Sequence, residues 1–428
     1  SGSDGRLIHE APPVPARIRP AVAIQVLFVL FGLVIASFFP FFAPFLEERG
    51  LSESEIGLVI AAMALARVLT NPVWGHVADT KIGRRSVLQL AAAGATVAAL
   101  ILFWWGDGLA AVVITTMLLA ATSSTVGPNI DALALAHLGE ERMTDYGRIR
   151  AWESLSYAAA CLALGFVLQA TGIQWMLTAY AAASLALLGW SFSVARDRPQ
   201  AGEEAHGRLG SVGAVFREAP RFWAFLAASM LVWVAFSAAW NFISLKILAE
   251  GGGPRLIGFG TALGGLMEVP TMRLSSRLAA RVGLRLVFVA GCVVYGTGFL
   301  LWGLISNPTI VSMLTVFEGA GFALLFTSTV VIVGRLVPPR LHSTGQSIAS
   351  TVGFGVSPIL GGAIGGVVFQ RLGPEVLYVG ACVFALGAGA LSMAALNTSQ
   401  FRRPAPVEGE AVGAPPFGSG VGLPPSEV

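Results

Sequence analysis

The chain has 428 residues, of which 55% are hydrophobic and 12% are charged, and its mean hydropathy is +0.74. Because soluble domains carry about 25% charged residues, this composition excludes an ordinary soluble protein and indicates a polytopic membrane protein. The net charge is +3, but the basic residues are spread over short loops. Their distribution indicates the membrane topology and not a nucleic-acid partner. The three cysteines fall within apolar segments at no metal-ligand spacing, so no metal site is expected.

Twelve apolar segments reach about 20 residues, the length that crosses ~30 Å of hydrocarbon. We number them spans 1 to 12; they cover residues 21–46, 54–78, 86–106, 109–136, 146–171, 174–195, 221–247, 255–279, 285–305, 308–334, 342–370 and 375–396. The sequence therefore predicts an all-α membrane protein with two six-helix bundles, at 21–195 and 221–396, joined by a cytoplasmic linker at 196–220. Residues 1–20 and 397–428 are predicted to be cytoplasmic tails, the second disordered because it is rich in Pro, Gly and acidic residues.

The distribution of Lys and Arg predicts the orientation. Of the 27 basic residues, 21 lie on the side that holds both tails and the linker, which we call the linker side. The other six are Arg49, Lys246, Arg255 and Arg371 on the opposite or far side, and Arg67 and Arg273 inside spans. Basic residues favour the cytoplasm, so we expect a monomeric, multi-pass protein of the bacterial plasma (inner) membrane with both termini cytoplasmic.

The two halves carry a faint internal repeat. Gly57-Leu58 with Gly83-Arg84-Arg85 recurs as Gly258-Phe259 with Gly283-Leu284-Arg285, at an offset of 200 or 201 residues. Repeated bundles with a site at their interface are a transporter architecture.

The segment between spans 2 and 3 resembles the loop signature of the major facilitator superfamily. It carries Gly75, Asp79, Gly83, Arg84 and Arg85, with one more residue between Asp79 and Gly83 than that signature usually has. The resemblance implies a latch between conformations, in which the glycines permit a tight turn and the arginines stay cytoplasmic. The alternative is a positively charged turn without a gating role.

Further segments narrow the resemblance to the branch with phenylpropionate permeases, nucleoside/proton symporters and, more distantly, lactose permease. They are Phe39-Pro40 through Gly50 to Gly57, the run Asp145-Tyr-Gly-Arg-Ile-Arg-Ala-Trp152, Glu268-Val-Pro270, and Glu318 in span 10. The resemblance implies two pseudo-symmetric bundles and alternating access. Glu153 stands where relatives have a small residue, and Ser312 and Thr315 replace the Lys and His of lactose permease, so neither its substrate nor its proton relay carries over.

Polar residues on spans 4 and 5 predict a substrate-binding network. Tyr146, Arg150, Glu153 and Tyr157 recur at i, i+4, i+7 and i+11, which is one helical face. A polar face on a membrane helix must meet a cavity or another polar helix. We expect Asp131 of span 4 to lie near Arg150, and Trp152 beside Arg150 is a further candidate; the alternative is a structural ion pair.

Two deep acids in the second half predict proton coupling. Glu268 and Glu318 lie about 13 and 10 residues into spans 8 and 10, roughly 15 to 20 Å deep at 1.5 Å per residue. Low dielectric favours the protonated carboxyl, so these groups can exchange protons. For Glu318 the alternative is a protonated acid hydrogen-bonded to a neighbouring span. Arg67 in span 2 could bind an anionic substrate or hold a buried acid, and structural pairing is the favoured reading.

Stripes on spans 7 and 11 are expected to line the cavity. They include Trp233 and Asn241 on span 7 and Gln346 on span 11. Aromatic stripes in membrane helices also serve packing or interface belts, which is the alternative for each tryptophan.

The function predicted from the sequence is secondary transport and not catalysis. The sequence has no Gly-x-x-x-x-Gly-Lys nucleotide loop, so we expect no cofactor and a proton gradient as the energy source. The expected activity is symport of a small organic solute (an aromatic acid, nucleoside or similar) with protons. The alternatives are proton-driven efflux of amphipathic compounds and, from another class, a membrane sensor or membrane-embedded enzyme.

Overall fold

A computed structural model describes residues 20–138, 146–195 and 208–397, together with Phe401. The predicted tails therefore lie almost wholly outside the described residues, as does the first part of the linker. The second part of the linker forms a helix, Arg208–Glu218, and an ion pair between Glu218 and Arg340 attaches it to the start of span 11.

The described residues are almost entirely helical, as the hydropathy pattern predicts. Eleven segments are long and apolar enough to cross a membrane: Ala21–Glu48, Glu53–Ile82, Arg84–Trp105, Leu109–Leu138, Tyr146–Thr171, Ile173–Ser191, Pro220–Ala249, Leu284–Leu304, Pro308–Leu336, Pro339–Leu372 and Pro374–Ala395. The 29-residue helix Pro254–Val282 supplies span 8 and is less apolar, since it contains Glu268 and four arginines. All twelve predicted spans are thus helices within a few residues of the expected ends.

Several spans are interrupted near their middle or ends. Span 1 divides into Pro20–Phe38 and Phe42–Glu48, span 4 into Leu109–Ser123 and Val126–Leu138, and span 10 into Pro308–Met313 and Thr315–Leu336. Span 11 passes through a π-helical turn, Thr351–Val356. Irregular backbone at membrane depth is tolerated where protein or a water-filled cavity surrounds it, and Phe41 and Thr125, at the breaks of spans 1 and 4, are buried.

The loop between spans 2 and 3 accommodates its extra residue in a π-helical turn, Ala78–Ile82. A π turn adds one residue per turn relative to the α-helix, which leaves Gly83 free to reverse the chain at φ 82°. Asp79 pairs with Arg84 at 3.3 Å, as expected for a loop that holds the two span ends together. Gly283 reverses the chain at the equivalent position of the second half, with φ 86°.

The two bundles approach each other through glycines related by the internal repeat. A Cβ on Gly57 would lie 2.3 Å from the carbonyl oxygen of Gly362, and a Cβ on Gly258 would lie 2.2 Å from that of Cys161. Positions 57 and 258 are 201 residues apart, and so are 161 and 362. Span 2 therefore packs on span 11 as span 8 packs on span 5, with backbones in direct contact.

A pair of equivalent hydrogen bonds joins the bundles on the far side. The backbone N–H of Arg255 donates to Gln169 Oε1 at 3.4 Å, and that of Ser54 donates to Gln370 Oε1 at 3.3 Å. Each glutamine thus reaches the first turn of a helix in the other bundle. These contacts close the far side, whereas the Arg150 side chain, near the linker side, retains 44% of its exposure.

Candidate functional site

The predicted network of spans 4 and 5 is assembled in the structure. Arg150 Nη1 lies 3.3 Å from Asp131 Oδ2, and Arg150 Nε lies 3.9 Å from Glu153 Oε2. The Tyr146 hydroxyl donates to Asp131 Oδ1 at 2.7 Å and accepts from Arg150 Nη1 at 3.2 Å. The expected proximity of Asp131 and Arg150 is confirmed, and it follows from the shared helical face that presents Tyr146, Arg150 and Glu153 to span 4.

Glu268 extends this network across the boundary between the bundles. It interacts electrostatically with Arg150 and Glu153 of span 5, although it belongs to span 8. Glu268 thus has an electrostatic partner in the other bundle, which the residue spacing on span 8 does not reveal. Sequence periodicity places residues on one helix face, but it does not determine which face of another bundle lies opposite.

Glu318 lies deeper in the second bundle, 6% exposed, and interacts with Glu268. It has room because Gly264 of span 8 carries no side chain; a Cβ there would lie 3.0 Å from Glu318 Oε2. Tyr157 connects the two regions, since it interacts with both Glu268 and Glu318, and a Cβ on Gly265 of span 8 would lie 3.6 Å from its ring. Electrostatic interactions thus link Glu318 through Glu268 to Glu153 and Arg150, which pairs with Asp131.

The remaining predicted lining residues are placed apart from these acids or in packing contacts. Trp233 is 3% exposed, and its ring lies 5.7 Å from Phe322 and 5.0 Å from Phe354. Asn241 donates to the carbonyl of Ser237 in its own helix at 2.7 Å. These positions fit the packing alternative for span 7.

Gln346 and Trp152 have different surroundings. Gln346 Nε2 donates to the carbonyl of Val330 at 2.7 Å and so joins span 11 to span 10. Trp152 is 46% exposed, and it lies about 200° round the helix from Arg150, so the two do not share a face.

Sequence reasoning missed the aromatic cluster around Trp233. Phe236 stacks on Tyr295 with ring centroids 5.4 Å apart and planes 4° apart, and both Phe236 and Trp233 contact Phe322. With Phe354 the rings come from four spans, so only the spacing of Trp233 and Phe236 on span 7 was visible in the chain. Its member Phe322 lies one helical turn after Glu318 on span 10.

The comparisons with known proteins agree with this architecture. The MFS_1-like family profile matches residues 23–379. The chain is 28% identical over 377 residues to the maltose permease of Geobacillus stearothermophilus, covering 85% of this chain and 92% of that protein.

Solved structures with the same fold include the nucleoside transporter NupG, with a TM-score of 0.79, 16% identity and coverage of 89% of this chain and 100% of that one. A D-xylose-proton symporter matches with a TM-score of 0.67 and 13% identity over 87% of this chain and 97% of that one. The matching family profile, the paired six-helix bundles and the buried polar site together identify the chain as a member of the MFS_1-like family, a secondary transporter of the major facilitator fold.

Proposed function

We propose that this transporter moves a small ring-bearing organic solute, such as an aromatic acid or a nucleoside, in symport with protons. The relatives support this class: they include proteins named for maltose, nucleosides and D-xylose, and the last is named as a proton symporter. The cargo is small and polar in each case. The energy source in this proposal is the proton gradient, without a bound cofactor.

The observation that carries proton coupling is the charge balance around Arg150. Asp131 and Glu153 lie within 4 Å of this guanidinium, and Glu268 interacts with it from the other bundle. Three ionised carboxylates would leave two uncompensated negative charges, and each charge inside a bilayer costs several kcal/mol. Protons taken up by the acids would remove that excess.

Glu268 is the acid best placed to couple proton binding to conformational change. Its attraction to Arg150 acts between the bundles, which must separate when the site opens to the other side. A neutral Glu268 no longer attracts Arg150, and the guanidinium is then available to a polar group of the solute. The coupling is reciprocal: if the proton strengthens solute binding, the solute strengthens proton binding by the same factor.

The proposed setting is the bacterial plasma membrane, with both termini cytoplasmic and one chain as the working unit. The excess of basic residues on the linker side supports this orientation. In that orientation the far side faces the exterior, and the Gln169 and Gln370 hydrogen bonds close it.

The test uses proteoliposomes with an imposed pH gradient and labelled aromatic acids, nucleosides and sugars. Glu268→Gln should lower proton-driven accumulation about 10-fold or more, whereas exchange of labelled for unlabelled solute, which needs no net proton movement, should persist. Glu375→Gln is the matched control, because Glu375 is exposed at the start of span 12. Full accumulation in both Glu268→Gln and Glu318→Gln would refute the coupling assignment.

Proton-driven efflux of amphipathic compounds is the second candidate, and the aromatic cluster around Trp233 favours it. The same vesicles separate the two. Symport accumulates solute when the exterior is acidic, whereas antiport accumulates it when the interior is acidic.

A further inference from the structure

Arg67 lines a cavity in the first bundle, and no residue of the Arg150 network is part of that lining. Its volume is about 160 Å³, and spans 1, 2, 4 and 6 enclose it. Most of the lining is apolar, while the hydroxyls of Ser123, Ser124 and Tyr180 provide polar groups; the apolar side chains include Phe31, Phe38 and Met63. The cavity thus combines one cation, a few hydroxyls and an apolar wall.

Arg67 has no acidic partner in the part of the chain that the structure describes. Its Nε is buried without a hydrogen-bond partner there, and the guanidinium lies over the ring of Phe39 at 5.0 Å. Tyr180 interacts with it electrostatically. The structural pairing with a buried acid, favoured by the sequence, is therefore not found among the described residues.

The guanidinium keeps its charge because arginine does not lose its proton in proteins. A cation–π contact offsets only part of the cost of burying an ion without a counter-charge. The Phe39 ring alone does not offset that cost. An anion that enters the cavity would.

Arg67 occupies the position in the first half that Glu268 occupies in the second. It lies 14 residues into span 2, about 20 Å along the helix, and so near mid-membrane. Arg67 and Glu268 are 201 residues apart, the same offset as Gly57 and Gly258. The two halves therefore carry a cation and an acid at equivalent positions.

We infer that Arg67 binds the carboxylate of the transported solute, and that this solute is a small monocarboxylate with an apolar or aromatic body. An apolar cavity of about 150 Å³ is large enough to bind benzene, so the space beside Arg67 fits one ring. The Ser123 and Tyr180 hydroxyls can donate to the second carboxylate oxygen. This inference rests on the transport function proposed above and selects the acid over the nucleoside within it.

The test is equilibrium binding to purified full-length protein in lipid nanodiscs at pH 7, without a gradient. The probes are benzoate, phenylacetate and cyclohexanecarboxylate, each compared with its uncharged amide. Wild type should bind at least one acid about 10-fold or more tightly than the matching amide, since a hydrogen bond to a charged group contributes about 1.5–3 kcal/mol. Equal binding of acids and amides, or no binding of any acid, would overturn the inference.

Variants locate the effect at Arg67. Arg67→Gln should remove the preference for acids, and Arg67→Lys should restore part of it. Arg221→Gln, which removes an exposed cation at the start of span 7, is the matched control. Ser123→Leu, which fills the cavity and keeps the guanidinium, should weaken acid binding as well, and it serves if Arg67→Gln fails to fold. Unchanged acid binding in folded Arg67→Gln or in Ser123→Leu contradicts the inference.

The outcome is separable from that of the coupling test. Binding in nanodiscs needs no proton gradient, so a preference for acids can stand even if Glu268→Gln still accumulates solute. Conversely, equal binding of acids and amides by the wild type would exclude Arg67 as a carboxylate site and leave proton-driven uptake of nucleosides or sugars untouched.

Discussion

Arg150 is shared by acids from three helices, and its role depends on having several donors in a fixed plane. It contacts Asp131 through Nη1 and Glu153 through Nε. A lysine ammonium is a compact point charge on a flexible stem and does not reproduce this fork. We therefore expect a lysine at position 150 to keep the charge and lose part of these contacts.

Arg150→Lys is expected to lower solute affinity about 10- to 100-fold, because hydrogen bonds to charged groups contribute about 1.5–3 kcal/mol. Binding measured in nanodiscs tests this, with Arg221→Lys as the control. Wild-type affinity in Arg150→Lys would mean that a single positive charge suffices at this position.

For individual residues, the sequence predicted which side chains are neighbours on one helix, but it did not predict which side chains meet between the bundles. The spacing of Tyr146, Arg150 and Glu153 was enough to place them together and to bring Asp131 close. Glu268 has no partner on its own helix face, and its interaction with Arg150 comes from another helix. The rotation of span 8 about its axis follows from its packing on spans 5 and 10, which no local pattern records.

Among the helices, the glycine contacts between bundles are the feature with the clearest mechanical meaning. Small residues let membrane helices approach at backbone distance. Gly57 and Gly258 do this at equivalent positions, and neither site has space for a methyl group. The closed far side therefore depends on the absence of side chains there.

Gly258→Ala should push spans 5 and 8 apart and favour a state that is open on the far side, because the added Cβ would lie 2.2 Å from a backbone oxygen. Gly57→Ala should act in the same direction at the other interface. Spin labels at Trp105→Cys and Leu304→Cys, two exposed far-side positions, would report a longer distance; the native cysteines are buried.

Gly380→Ala is the matched control, since a Cβ on Gly380 meets no atom within 4 Å. An unchanged distance distribution in both Gly57→Ala and Gly258→Ala would mean that the helices shift within the closed state without opening.

The helices themselves were predictable because hydropathy and length determine spans, whereas their interruptions were not. The extra residue after Asp79 was visible in the sequence, but the π turn that accommodates it was not. The repeat was visible at Gly57 and Gly258. Their partners, Gly362 and Cys161, became apparent only from packing.

For the whole molecule, the two glutamine hydrogen bonds connect the bundles on the far side. Gln169 and Gln370 are 201 residues apart, and each accepts from the opening turn of a helix in the other half. Such a bond contributes about 0.5–1.5 kcal/mol. Together they bias the molecule towards closure of the far side.

Gln169→Ala and Gln370→Ala should each increase the far-side-open population about 5-fold, and the double variant about 30-fold, if each bond contributes about 1 kcal/mol independently. The label pair at positions 105 and 304 measures these populations. Gln174→Ala, an exposed glutamine nearby, should leave them unchanged. No increase in the double variant would show that the hydrogen bonds do not stabilise the closed state.

The placement of Arg67 has a consequence for how membrane voltage acts on the carrier. A monocarboxylate that travels with one proton crosses as a neutral package, so the membrane potential contributes nothing to its accumulation. A nucleoside or sugar with one proton carries a net positive charge, and each 100 mV of potential then adds about 2.3 kcal/mol. If Arg67 binds a monocarboxylate and one proton accompanies it, we expect accumulation to follow the pH gradient and not the membrane potential.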